Sequence, residues 1–225
     1  MIPWIHLDTA QVPGGNQLRL MRRGDEFVIK LGSNELMNSR MTATEQALAT
    51  MACDKIRTRP APKILIGGLG MGFTLRAALT VLGQDAAIDV AELVPKVVAW
   101  ARGPMAPLFG DSLTDPRVTI HERDVLDLIA AARAEYDAIL LDVDNGPNGI
   151  VRKANDRLYD INGLAAAHRA LRPGGVLAVW SSAPDAKFTG RLRRGGFDVT
   201  ENAVRAKGPL GRAQQFIWLA TQRRE

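Results

Sequence analysis

Ten residues, Lys63-Ile-Leu-Ile-Gly-Gly-Leu-Gly-Met-Gly72, constrain this chain more than any other stretch. A short apolar run breaks into a glycine-rich turn, and Phe73 to Leu82 follows at helical spacing, with Phe73, Ala77, Ala78 and Val81 on one face. Only glycine turns a chain that tightly and lets its backbone lie against a ligand. The free amides of the following helix then point into the same crevice, which suits a nucleotide-type ligand. The spacing Gly68, Gly70, Gly72 differs from the dinucleotide fingerprint, whose third glycine falls three positions on. A glycine turn made only for packing stays open as the competing reading.

Around this turn the pattern alternates. Apolar strands are predicted over Ala87 to Ala91, Val118 to His121, Tyr136 to Leu141 and Val176 to Trp180. Helices are predicted over Thr44 to Arg57, from Pro95 through Trp100, over Val125 to Ala132 and over Ile161 to Leu171. Regular alternation of strand and helix means a parallel sheet with helices on both faces. Phe197 to Val204 and Gln215 to Ala220 are separated by too few residues for a helical crossover, so the sheet closes on an antiparallel hairpin. The expected fold is α/β: a doubly wound, Rossmann-like, mostly parallel seven-stranded sheet ending in that hairpin, the architecture of class I S-adenosylmethionine-dependent transferases. Residues 1–40 read instead as short strands, with turns at Arg23-Gly24-Asp25 and Gly32-Ser33-Asn34. They form a small N-terminal β appendage, with the transferase-like domain over 41–225. An appendage of that size has to pack on the main domain or on another subunit.

In a doubly wound sheet, ligands lie beyond the carboxyl ends of the strands. Acids fall at those ends. Glu92 ends the second strand, 20 positions after Gly72, where a carboxylate accepts from both ribose hydroxyls. Asp124 follows the third strand, placed for the exocyclic amine of an adenine and equally for capping the helix at Val125. Asp142 and Asp144 follow the fourth strand, at the centre of the sheet, where a carboxylate can hold an amine and take up its proton. No Asp/Asn-Pro-Pro-aromatic run stands here to stack a flipped base, which argues against a nucleic-acid amino-group methyltransferase.

The net charge of +5 comes from scattered cations, with small clusters at Arg191, Arg193, Arg194 and at Arg223, Arg224, and reads as a solvated surface. Cys53 lies in a helical pattern as a small core residue, and His6, His121 and His168 share no metal-ligand spacing, so no metal is expected. No apolar run approaches the roughly 20 residues that span a bilayer. A cytoplasmic location is expected, with no membrane or nucleic-acid partner.

With these residues in view the chain resembles the polyamine aminopropyltransferases, spermidine synthase and its relatives, over roughly residues 35 to 220. The resemblance rests on Glu45-Gln46-Ala47-Leu48, the glycine turn, Glu92-Leu93-Val94-Pro95-Lys96-Val97-Val98, Asp124-Val125, Tyr136 to Asp142, Leu158-Tyr159 and Leu171-Arg172-Pro173-Gly174-Gly175. It implies that Gly68, Gly70, Gly72 and Gln46 line the cofactor, Glu92 holds the ribose and Asp124 the adenine. It also implies that Asp142 is the catalytic acid/base, with Asp144 beside it, and that Tyr159 and Asn145 meet the substrate. The co-substrate implied is decarboxylated S-adenosylmethionine, or S-adenosylmethionine itself; the partners implied are a small-molecule amine and a second copy of the chain in a homodimer. Gly70 stands where the family's turn carries an aspartate, and Asn145 where its fourth-strand motif has a second aspartate, which bears on the acceptor. Methyl transfer is the runner-up and a nucleotide-binding remnant the third reading. Arg40 and Lys153 are the candidate cations for the carboxylate that S-adenosylmethionine carries and its decarboxylated form lacks.

Overall fold

In the computed structural model, which describes residues 2–40, 42–143, 156–205 and 214–223, four strands open the chain. They are β1 (Ile5–Gln11), β2 (Gln17–Arg23), β3 (Glu26–Leu31) and β4 (Asn34–Asn38), antiparallel and in sequence order. Leu18 and Leu20 alternate inward along β2, as a half-buried strand requires. Their partners are not confined to this small sheet. Ala10, Leu18, Leu20, Phe27 and Ile29 belong to the same continuous apolar core as Leu69, Val94, Val97 and Trp100 of the main domain. Asp8 adds a polar tie: its carboxylate accepts from the Trp100 indole N–H at 2.8 Å and pairs with Lys96 at 3.0 Å. The expected appendage is therefore packed against the main domain.

The rest of the chain runs α1 (Ala43–Ile56), β5 (Lys63–Gly67), α2 (Phe73–Val81), β6 (Ala87–Ala91), α3 (Pro95–Arg102), α4 (Ala106–Phe109), β7 (Val118–His121), α5 (Val125–Ala131) and β8 (Tyr136–Leu141). It ends with α6 (Asp156–Tyr159), α7 (Ile161–Ala170), β9 (Leu171–Ser181), α8 (Ala186–Arg194), β10 (Phe197–Arg205) and β11 (Gln214–Gln222). The seven strands lie in the order β10-β11-β9-β8-β5-β6-β7. β9 to β7 are parallel, and β11 runs against both β9 and β10. This is the doubly wound sheet with an antiparallel closing hairpin that the residue pattern predicts. Every residue of β8 is buried, as befits a central strand covered on both faces. Helices α1, α2 and α3 cover one face; α5, α7 and α8 cover the other. At the amino end of the sheet, buried Asp137 accepts from Arg59 and Arg172, each at 2.7 Å, and from the Lys63 amide, pinning the starts of β5, β8 and β9 together.

Four elements were not anticipated from the residue pattern, two of them the four-residue helices α4 and α6. β1 exposes Ile5, His6 and Leu7 in succession, so it lacks the alternation that marks a strand. Helix α8 turns two apolar residues inward, Phe188 and Leu192, four apart beside buried Thr189 and among Lys187, Arg191, Arg193 and Arg194, and reads in sequence as surface charge. No helix among the described residues is long and apolar enough to cross a membrane.

Candidate functional site

Strand order reverses between β5 and β8, since the chain leaves β5 toward β6 on one side and β8 toward β9 on the other. A crevice at the carboxyl ends of such a pair is where a doubly wound sheet binds ligands. Two cavities open there. The larger, about 430 Å³, is lined by Gly68, Gly70, Glu92, Asp124 and Asp142, and by the turn between β1 and β2, Val12 to Asn16. The smaller, about 100 Å³, is lined by Gly68, Gly70 and Gly72, with Glu45, Thr74, Asp142 and Trp180. Three segments far apart in sequence, around residues 70, 92 and 142, thus meet at one cleft.

The glycines do different work. Gly68 has φ +89°, and a Cβ there would lie 2.9 Å from the Asp142 carbonyl oxygen, so the turn lies directly on the end of β8. Gly72 has φ +78°, and a Cβ would come within 2.3 Å of the Phe109 ring. It is therefore a left-handed cap of α2 packed over Phe109, and it borders only the smaller cavity.

Glu92 is buried and both its oxygens are engaged. Oε2 accepts from the Leu69 amide at 3.0 Å and Oε1 from the Val94 amide at 2.9 Å. Burial pushes its carboxyl above the usual range, and these amides pull the other way. One side chain thereby joins the glycine turn to the start of α3. Asp124 caps α5, accepting from the Leu126 amide at 3.0 Å, and borders the larger cavity as well. Of the two readings that sequence left open at this position, the cap is present, and the same side chain faces the cavity.

Asp142 borders both cavities. Its Oδ2 accepts from the Thr74 hydroxyl, in the first turn of α2, at 2.6 Å, and burial raises its carboxyl despite that bond. Facing the same small cavity is Glu45. Burial first, and then the charge of Asp142, push its carboxyl up to about 7. Helical phase explains why Glu45 and not Gln46 turns inward. Residues 45, 48, 49 and 52 share a stripe, and Leu48, Ala49 and Ala52 on it are fully buried, whereas Gln46 is exposed and lines neither cavity. That phase was available in the sequence.

Other expected positions differ. Tyr159 is 2% exposed and borders neither cavity; its hydroxyl donates to the Val143 carbonyl at 3.3 Å and its ring meets Phe188 edge-on. It buttresses the chain just after Asp142. Arg40 pairs with Glu26 at 2.7 Å and lines neither cavity. Asp144, Asn145 and Lys153, and most of the long segment after β8, fall outside the described residues. The wall made by Val12 to Asn16 was not foreseen, although Pro13-Gly14-Gly15-Asn16 is a plain turn signal. Cys53 is buried, as its helical setting predicts.

Chemically, the larger cavity offers an apolar lining with three carboxylates and backbone glycines. The smaller one offers two carboxylates and an indole. No Lys, Arg or His is among the described residues that line either. Such a pair suits a cationic ligand with a nucleoside-like part.

The chain is 27% identical over 195 residues to a polyamine aminopropyltransferase of Mycobacterium tuberculosis, covering 82% of this chain and 35% of that protein. It is 37% identical over 116 residues to putrescine N-methyltransferase 3 of Nicotiana tabacum, covering 51% of this chain and 29% of that protein. The chain thus spans about a third of the length of these relatives. In three dimensions it is similar to the spermidine synthase of Thermotoga maritima, with a TM-score of 0.75 at 17% identity, covering 98% of this chain and 73% of that one, a likeness of fold. The spermine/spermidine synthase domain model matches residues 44–187, from the helix that carries Glu45 through all three acid-bearing strand ends. Since that match takes in most of the chain and every acid that lines the cleft, this protein belongs to the spermine/spermidine synthase domain family.

Proposed function

We propose that the chain binds decarboxylated S-adenosylmethionine in the larger cavity and transfers its aminopropyl group to an amine held in the smaller one. The observation that carries this is the position of Asp142, a carboxylate at the junction of the two cavities, with no cation among the described lining residues. S-adenosylmethionine differs by a carboxylate that would need a positive partner. Its decarboxylated form ends in an ammonium, which acidic walls favour.

In this reading Glu92 accepts the ribose hydroxyls, Asp124 the adenine amine, and the backbone at Gly68 and Gly70 lies against the nucleoside. Asp142 holds the acceptor amine by its N–H groups. Once the amine has lost a proton, its lone pair attacks the propyl carbon bound to sulfur; the C–N bond forms, the C–S bond breaks and a neutral thioether leaves. The chain's part is alignment and proton control, since the sulfonium is already a good leaving group.

Titration calorimetry with decarboxylated S-adenosylmethionine, S-adenosylmethionine and methylthioadenosine tests the reading. The decarboxylated compound is expected to bind at least about tenfold tighter than S-adenosylmethionine, an unpaired buried carboxylate costing well over 1.4 kcal/mol. The relative among the putrescine N-methyltransferases supports a second reading, methyl transfer to an amine, which the reverse preference would favour. Binding of none of the three would leave a nucleotide-binding remnant.

A further inference from the structure

We infer that Glu45, at the start of α1, is the second half of a carboxylate pair with Asp142, and that it receives the acceptor amine and takes its proton. This rests on the amine-acceptor reading above. Both side chains border the one small cavity, Asp142 from the end of β8 and Glu45 from α1. Asp142 already accepts from the Thr74 hydroxyl; Glu45 accepts from that of Thr44, at 3.0 Å. Neither carboxylate has a cation among its partners in the described structure. Two carboxylates in one partly dry cavity repel each other, and a single shared positive charge relieves both.

Surrounding groups leave the pair to itself. Arg76 of α2 donates to the Leu108 carbonyl, and Arg172 of β9 is bound to Asp137. Glu201 of β10 accepts from Thr189 and Trp218, and Asp198 pairs with Arg223. On α1 itself, Asp54 and Lys55 lie at the far end of the helix. Asp142 is therefore the charge that acts on Glu45.

Trp180, on β9, borders the same cavity, and an indole there favours an ammonium. Gly70 borders the cavity with no charge to offer, so α1 brings the second carboxylate.

The proton balance is simple. The acceptor enters as an ammonium and Asp142 orients it. One N–H proton passes to the Glu45 carboxylate, leaving a neutral amine whose lone pair forms the new C–N bond as the C–S bond breaks. The product carries its charge as a secondary ammonium, and Glu45 returns its proton to solvent.

The test uses the full chain and 1,4-diaminobutane, titrated calorimetrically with and without saturating methylthioadenosine, in two buffers of different ionisation enthalpy at pH 7. The wild-type chain is expected to release about half a proton on binding the diamine, because Glu45 ionises beside the ammonium. Glu45→Gln should lose that release and at least about tenfold in diamine affinity, while methylthioadenosine affinity stays unchanged. Unchanged diamine affinity and proton release in Glu45→Gln would overturn the inference, as would a wild-type chain that binds no diamine in either state. Glu45-dependent diamine binding without any methylthioadenosine binding would retain Glu45 and sink the adenosyl reading instead. Should Glu45→Gln lose methylthioadenosine too, the wild-type pH profile decides: diamine affinity is expected to rise about tenfold from pH 6 to pH 8, and a flat profile overturns the inference.

Discussion

The two cavities of this cleft use the same side-chain chemistry in opposite ways. In the larger one, Glu92 and Asp124 accept from the protein's own backbone amides, so their charge is spent largely on holding the ends of strands and helices in place. In the smaller one, Asp142 accepts from the Thr74 hydroxyl, and Glu45 from the Thr44 hydroxyl and from backbone amides at the start of its own helix; burial, with the charge of Asp142 beside it, still raises Glu45 to about 7. The contrast teaches that an acid's role follows from its neighbours more than from its position at a strand end. Carboxylates whose amide donors tie separate elements together organise a site; a carboxylate buried beside a second one exchanges protons there.

The most severe way to break this contrast is Asp142→Asn. Turnover is expected to fall at least about 10²-fold, the scale of misplacing the reacting amine, with methylthioadenosine affinity nearly intact. Steady-state rates beside calorimetry check it, and undiminished turnover would remove Asp142 from the chemistry. Glu92→Ala should do the reverse. It should weaken nucleoside binding by about 2–3 kcal/mol, the scale of hydrogen bonds to a charged group, and lower the melting temperature because the Leu69 and Val94 amides lose their acceptor.

A smaller effect concerns pH. The Glu45 carboxyl is raised from 4.5 to about 7 in the folded chain, so folding favours its protonated form. That preference is fully present below about pH 4.5 and is lost as pH rises through 7, where the folded chain must hold the charge in the cavity. Glu45→Gln is therefore expected to be more stable than wild type at pH 8 by roughly 1–2 kcal/mol, after discounting for its partial exposure, and equal to it near pH 4. Denaturant melts at the two pH values measure this, and a difference that grows toward acid would reverse the sign. The smallest expected effect is that of Asp124→Ala, about 1 kcal/mol of stability from the lost α5 cap. Methylthioadenosine affinity in that variant sharpens the comparison, since a wild-type value would make Asp124 a cap and nothing more.

Much of the framework was legible because periodicity writes it directly. β6, β7 and β8 run over the residues their apolar stretches mark, and the short link after β10 demanded an antiparallel strand. Glu92, Asp124 and Asp142 were legible as site candidates because a parallel sheet delivers the residue after each strand to one edge. What sequence obscured depended on tertiary packing. Gly72 answers to Phe109, 37 residues on, and Tyr159 to Phe188 and the Val143 carbonyl. Glu45 was passed over for Gln46, although the buried stripe of α1 passes through position 45. β1 and α8 carry too few inward apolar residues for any period to show.

The turn at residues 12–16 walls the larger cavity from outside the sheet that carries the acids. Under the proposed transfer, the cavity's outer wall and the groups assigned to the chemistry therefore have separate addresses on the chain. Lengthening that hairpin tip would then reshape the space open to a ligand while the acid-bearing strand ends stay as they are, an arrangement that would let selectivity drift without rebuilding the acids.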